Sequence, residues 1–96
     1  MAKATVTVGS RIYYTGDMAN IDGVGTVIKI IPASNYAPEM AVVHLDDGRD
    51  CTPATMSIED EYKGHCGVRF VTEEAYQSWR EAKLEEMKQA VAKLMA

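Results

Sequence analysis

Residues 41–52, with the sequence AVVHLDDGRDCT, decide the fold of this chain. An apolar run ends at Leu45, the turn-forming residues 46–48 follow, and extended sequence resumes at Asp50. An Asp-Gly pair between two such segments is among the strongest short-range signals for a β-hairpin, because glycine adopts the positive φ of the turn at little steric cost. The stretch therefore predicts two antiparallel strands joined by a tight turn.

Two turn geometries fit this stretch, and the alternation of side chains separates them. A two-residue turn pairs Leu45 with Asp50, so a carboxylate would share the inward face with an apolar side chain. A three-residue turn that ends in a left-handed glycine instead pairs Val43 with Cys51. It also places His44 opposite Asp50 on the wetter face. We predict this second register, because it keeps the apolar side chains together.

Signals outside the hairpin divide the rest of the chain into short strands and one long helix. β-branched runs indicate strands, whereas clusters of Gly, Pro, Asn and Asp indicate loops. Residues 1–8 alternate as an edge strand does, but they also fit a frayed terminus. The predicted elements are strands over 11–14, 24–31 and 68–71, loops over 15–23 and 32–39, and a helix that begins after Thr72.

The predicted helix has a clear start and an apolar stripe. Thr72 is a suitable N-cap, and Glu73 and Glu74 suit the positive end of the helix dipole. Some 23 helical residues would extend about 35 Å, which is longer than one face of a small barrel can cover. Part of the stripe therefore needs another partner. Four apolar residues follow a 3-4-3 spacing that is typical of a coiled-coil seam: Leu84, Met87, Val91 and Leu94.

Size and composition indicate one ordinary globular domain. The chain has 96 residues, of which 47% are hydrophobic and 25% charged. We expect a β-barrel over 9–71 and a C-terminal helix over 72–96. Residues 1–6 lack the apolar core and the cleavage site of a targeting segment, and no apolar run approaches the roughly 20 residues of a membrane span, so we expect a cytoplasmic protein without a membrane partner. A net charge of −4 disfavours nucleic acid as the partner.

The order of these motifs resembles that of small SH3-like barrels, particularly the KOW and Tudor-like kinds. The resemblance rests on four motifs: GSRIYY at 9–14, GD at 16–17, GVGTV at 23–27 and VHLDDGR at 43–49. It implies an α+β fold, a small SH3-like antiparallel β-barrel with a long C-terminal α-helix. Barrels of this kind bind peptides, RNA or methylated residues, and some are enzymes, so the resemblance leaves the function open.

Aromatic side chains are the first candidates for a binding surface. Tyr13 and Tyr14 are consecutive and point to opposite faces of a strand, so we expect at least one to face outward. An aromatic groove ringed by carboxylates would suit a basic or proline-containing peptide. The expected groove contains Tyr14, Tyr36 and Tyr62, with Asp17, Asp22 and Asp47 around it.

Metal and catalytic chemistry have weaker signals. His44, Cys51, His65 and Cys66 carry the atoms that zinc prefers, but their spacing fits no compact ligand pattern, so we expect no metal and no cofactor. His44 and Asp50 resemble an orienting pair, yet no nucleophile is placed beside them. We therefore expect no catalytic residues.

Three hypotheses follow from the sequence. The first is a non-enzymatic interaction module that packs Tyr76 and Trp79 on the barrel and forms a homo-oligomer, or binds another protein, through the distal helix. The second is a KOW-like nucleic-acid or ribosome-associated protein. The third is a small oligomeric enzyme. The second hypothesis would use three basic residues on or beside strands, Arg11, Lys29 and Arg49.

Overall fold

The computed structural model describes residues 4–64 and 68–96. These residues form a curled sheet followed by one long helix, which confirms the α+β class. The elements are β1 (Arg11–Tyr14), β2 (Gly23–Ile31), β3 (Met40–Leu45), β4 (Asp50–Cys51), β5 (Ile58–Glu59), β6 (Phe70–Thr72) and α1 (Glu73–Met95), with a 3-10 turn at Thr55–Ser57 before β5.

The six strands form a half-barrel in the order β4-β3-β2-β1-β6-β5, consistent with a small SH3-like fold. All neighbouring strands are antiparallel except β5 and β6, which pair in parallel. The parallel pair was not predicted. The last strand was predicted over 68–71, but it begins at Phe70 and ends at Thr72. The shift follows from pairing with β1, where Tyr14 is opposite Phe70 and Ile12 is opposite Thr72.

The hairpin has the predicted register. Val43 pairs with Cys51 and His44 with Asp50. Gly48 has a φ of 98°, and its amide donates a 2.9 Å hydrogen bond to the carbonyl of Leu45. The three-residue turn is therefore confirmed, and glycine is required because a side chain is strained at this φ.

The core lies on the concave face of the sheet. Val27, Val43 and Leu45, which the hairpin register placed inward, are at most 2% exposed. Burial of such a side chain contributes about 1.5–3 kcal/mol relative to leaving it in water. The other core residues are Ile12, Tyr14, Ala41 and Ile58, with Phe70 and Cys51 packed at the margin.

Close contact between β2 and β3 depends on Gly25. A Cβ atom at this position would lie 2.5 Å from the carbonyl oxygen of His44. Two residues further along, a β-bulge between Val27 and Lys29 shifts the register of the same pair. A bulge increases the local twist of a strand, so this part of the sheet curls and covers the core.

The helix continues directly from β6 and projects beyond the sheet. The hydroxyl of Thr72 accepts a 3.2 Å hydrogen bond from the amide of Ala75, which confirms the predicted N-cap. The helix packs on β1 and β6. The molecule measures 61 × 27 × 23 Å, because most of the helix extends past the barrel. Among the described residues, no helix is long and apolar enough to cross a membrane.

Candidate functional site

The helix is attached to the barrel through a cluster of rings, which we call the aromatic cluster: Tyr13, Tyr62, Tyr76 and Trp79. Tyr76 stacks on Tyr13 with ring centroids 3.7 Å apart and planes inclined by 13°. Trp79 meets the ring of Tyr62 edge-on, with centroids 4.9 Å apart. These contacts confirm that Tyr76 and Trp79 pack on the barrel. They cover the first two turns of the helix, whereas the distal turns are exposed with respect to the rest of the described chain.

Two further contacts hold the aromatic cluster in place. The Tyr13 hydroxyl donates a 2.7 Å hydrogen bond to the carboxylate of Asp22, and burial together with this bond raises the pKa of Tyr13. Gly64 lies against the indole of Trp79, and a Cβ on this glycine would be 2.8 Å from Trp79 Cζ2. The φ of Gly64 is +75°, a second reason for glycine there.

The expectation that Tyr13 or Tyr14 faces outward is wrong, because both faces of β1 are covered. The helix covers Tyr13, while Tyr14 points to the core and stacks on Phe70 with centroids 5.1 Å apart. Each tyrosine is only 6% exposed. The Tyr14 hydroxyl donates to the carboxylate of Asp17, which raises the pKa of Tyr14 to about 12 and lowers the pKa of Asp17 to about 2.

The structure does not bring Tyr14, Tyr36 and Tyr62 together in one groove. Tyr14 is in the core, Tyr62 belongs to the aromatic cluster on the opposite face of β1, and Tyr36 is 98% exposed in the loop before β3. The carboxylates expected around the groove also have internal partners. Asp17 and Asp22 accept from tyrosines, and Asp47 pairs with Arg49 at 2.7 Å.

A different groove, of about 760 Å³, lies beside the aromatic cluster between α1 and residues 60–63. Tyr62 and Trp79 line it, together with the acidic side chains of Asp60, Glu61 and Glu74. Sequence reasoning found Tyr62 but not Glu74. The sequence predicted Glu74 in the first turn of the helix, but it did not show that residues 60–63 lie beside this turn.

The second candidate surface is the apolar strip, a row of exposed side chains on the distal half of α1. It comprises Leu84, Met87, Val91, Leu94 and Met95. Leu84 is 46% exposed and Leu94 is 86% exposed, so nothing in the described chain covers the row. Lys88 and Ala92 lie beside the strip. Four of its members were predicted from the 3-4-3 spacing, and Met95 was missed because it falls outside that spacing.

The basic residues proposed for nucleic-acid contact are largely neutralised. Arg11 forms ion pairs with Asp46 at 2.8 Å and Glu73 at 3.0 Å, which raises the pKa of Arg11 and lowers that of Asp46. The guanidinium of Arg49 donates to Asp47 and to the carbonyl of Ile21.

Lys29 is exposed on β2, and no ion pair of this lysine is found among the described residues. One free cation does not form a phosphate-binding patch, since affinity for nucleic acid rises with the number of phosphates neutralised.

The candidate metal ligands do not converge within the described chain. His44 and Asp50 are 2.6 Å apart on the exposed face, as predicted, whereas Cys51 packs at the margin of the core. Burial raises the pKa of the Cys51 thiol, which disfavours the thiolate that binds metals. His65 and Cys66 lie outside the described residues. Over residues 4–64 and 68–96, no three His, Cys, Asp or Glu side chains are placed to hold a metal ion.

No protein-family model, curated protein or solved structure matches this chain. The two surfaces described above are therefore the features from which a function can be inferred.

Proposed function

We propose that this chain is a non-enzymatic interaction module that self-associates through the apolar strip on the distal half of α1. The observation that supports the proposal is the position of the strip. It lies on the part of the helix that extends past the barrel, where five large apolar side chains remain exposed in the chain as described over 4–64 and 68–96. Apolar surface of this kind on a projecting helix is typical of an interface.

The area of the strip fits a second copy of the chain as the occupant. Each side chain offers on the order of 100 Å², so two strips would together bury roughly 1,000 Å². That value is at the lower limit for a specific interface between proteins. An interface of this size is weak, so we expect dimerisation that depends on concentration.

The test is a pair of substitutions in the strip, with a charge-matched control. Leu84→Glu with Val91→Glu places four carboxylates in the seam of a dimer, so we expect the mass by light scattering to stay at 10.5 kDa at every concentration. The unchanged chain should approach twice that mass as its concentration rises. Circular dichroism checks that the variant keeps its fold, which we expect because both positions are exposed.

The control is Gln89→Glu with Lys93→Gln, which changes the net charge by the same amount on the side of the helix away from the strip. It should associate as the unchanged chain does. A wild-type mass of 10.5 kDa up to millimolar concentration, or equal association of both double variants, would refute self-association through the strip.

A further inference from the structure

We propose that the two copies pair with their helices antiparallel, so that the two barrels lie at opposite ends of an elongated dimer. This inference rests on the proposed function, and it specifies how the second copy is oriented on the apolar strip. Its supports are the charges beside the apolar strip and the room that the barrel leaves along the helix.

The seam positions follow from the spacing of the strip. Leu84 and Val91 occupy a positions of a heptad, and Met87 and Leu94 occupy d positions. In the same frame, the preceding d position is Arg80. The charges that flank such a seam at e and g decide the orientation of coiled coils.

A parallel pair would bring like charges together at three places. Arg80 would face its own copy in the seam, since d positions meet d positions. Lys83 is at g and Lys88 is at the following e, so each Lys83 would face Lys88 of the other copy. A parallel pair would also bring two β-barrels to the same end, and residues 1–71 carry 6 basic and 9 acidic residues each.

An antiparallel pair removes most of this repulsion. Leu84 of one copy then faces Leu94 of the other, and Met87 faces Val91. Lys83 lies level with Met95 of the other copy, and Arg80 is beyond the paired segment.

The remaining charges weigh less on the orientation. Glu85 and Lys93 lie on the side of the helix away from the strip, so they do not pair across the seam. The twofold axis passes level with Gln89, and the two copies of Lys88 beside it are the like charges that an antiparallel pair retains. The dipoles of the two antiparallel helices attract each other.

The barrel leaves room for this partner. At about 100° per residue, Met87 and Leu94 lie within about 20° of Tyr76 around the helix axis and Leu84 about 80° from it, so the room for a partner comes from distance along the axis. The helix of the second copy ends level with Lys83, four residues past Trp79, or about 6 Å along the axis. The end of the second helix therefore lies beyond Trp79, the last helix residue of the aromatic cluster.

The result is a bivalent connector. Two 61 Å protomers that overlap over about 17 Å of helix give a particle roughly 100 Å long. Each end then presents one barrel and one groove beside the aromatic cluster.

Disulfide trapping tests the orientation. Leu84→Cys and Leu94→Cys are each made with Cys51→Ala and Cys66→Ser, so that each chain has one thiol. In an antiparallel pair, position 84 faces position 94, so an equimolar mixture should give mixed 84–94 disulfides about tenfold in excess of either homodimer. Mass spectrometry of the linked peptides measures this ratio.

A predominance of homodimer disulfides would contradict the antiparallel orientation without contradicting self-association. Rapid homodimer disulfides from each variant alone would show a parallel pair and overturn the orientation, while self-association would stand. Small-angle X-ray scattering is a second measurement, and it uses the unsubstituted chain, in which Leu84 and Leu94 are both present. We expect a maximum dimension of roughly 100 Å, whereas a dimer that remains close to the 61 Å of the protomer would also overturn the orientation.

Discussion

The barrel and the distal half of α1 differ in the burial of their apolar side chains. In the barrel, Ile12, Val27 and Val71 are completely buried. The helix contains no buried residue, although its distal half carries leucine, valine and methionine at regular spacing. A helical segment shorter than about 12–15 residues is only marginally stable in water by itself, and most of the stability of helices in proteins comes from packing of an apolar face. Folding of the described chain therefore accounts for the apolar residues of the barrel, whereas it leaves those of the distal helix exposed.

The largest expected effect is on the barrel, at the close contact between β2 and β3. Gly25→Val would force a side chain to within 2.5 Å of the His44 carbonyl oxygen, so we expect a loss of at least about 3 kcal/mol in the free energy of unfolding. Urea denaturation measures this loss. Gly23→Ala on the same strand is the control, because its Cβ would meet the flexible end of Arg49 at 3.1 Å and Leu45 at an ordinary 3.9 Å. Equal costs for the two variants would show that the close approach to the His44 backbone does not cause the loss.

A medium effect compares one core side chain with one from the strip. Ile58→Ala removes a completely buried side chain and should cost about 3 kcal/mol. Leu94→Ala, at a concentration where the chain is monomeric, should change the free energy of unfolding by less than about 0.5 kcal/mol. Both are measured by urea denaturation. If Leu94→Ala costs as much as Ile58→Ala in dilute solution, the distal half is packed within the monomer and the comparison fails.

The smallest effect concerns the loop that follows β1. The pKa of Asp17 is about 2 in the folded chain against an ordinary 3.8, so its stabilising contribution is present above about pH 4 and is lost as the pH falls towards 2. Tyr14→Phe removes the hydroxyl that donates to Asp17. We therefore expect the pKa of Asp17 to rise towards 3.8 and the acid-induced loss of stability to become smaller.

The pKa of Asp17 can be followed by a carbon-detected NMR titration. Tyr36→Phe, in an exposed loop, is the control and should leave the titration unchanged. An unchanged pKa in Tyr14→Phe would mean that backbone donors from Ala19 and Asn20 alone lower it.

The sequence predicted the elements whose signals are local. The Asp-Gly turn gave the register of the hairpin, and the alternation of Val43 and Leu45 identified core residues. Thr72 marked the start of the helix, and the 3-4-3 spacing marked the exposed strip. In each case the determining residues are within a few positions of one another in the chain, so the physical cause is visible in the order of the residues.

The missed features depend on contacts between distant segments. β5 has two residues, too few for alternation to be seen, and its partner β6 begins 12 residues after Ile58. Tyr13 was expected to be exposed because the sequence does not show that β6 pairs with β1. This pairing places the start of the helix, and with it Tyr76, against Tyr13. The groove beside the aromatic cluster was missed for the same reason, since residues 60–63 and the helix meet only in the folded chain.

Arg11 has a mechanical consequence. Its guanidinium ties Asp46, at the tip of the hairpin, to Glu73, the first residue of the helix. Because β6 runs into α1 without a linker and Tyr76 lies flat on Tyr13, the base of the helix is held at three separate points. Because its base is fixed at these points, the helix is rigidly coupled to the sheet. A force applied near Met95 would therefore twist the whole sheet instead of rotating the helix alone.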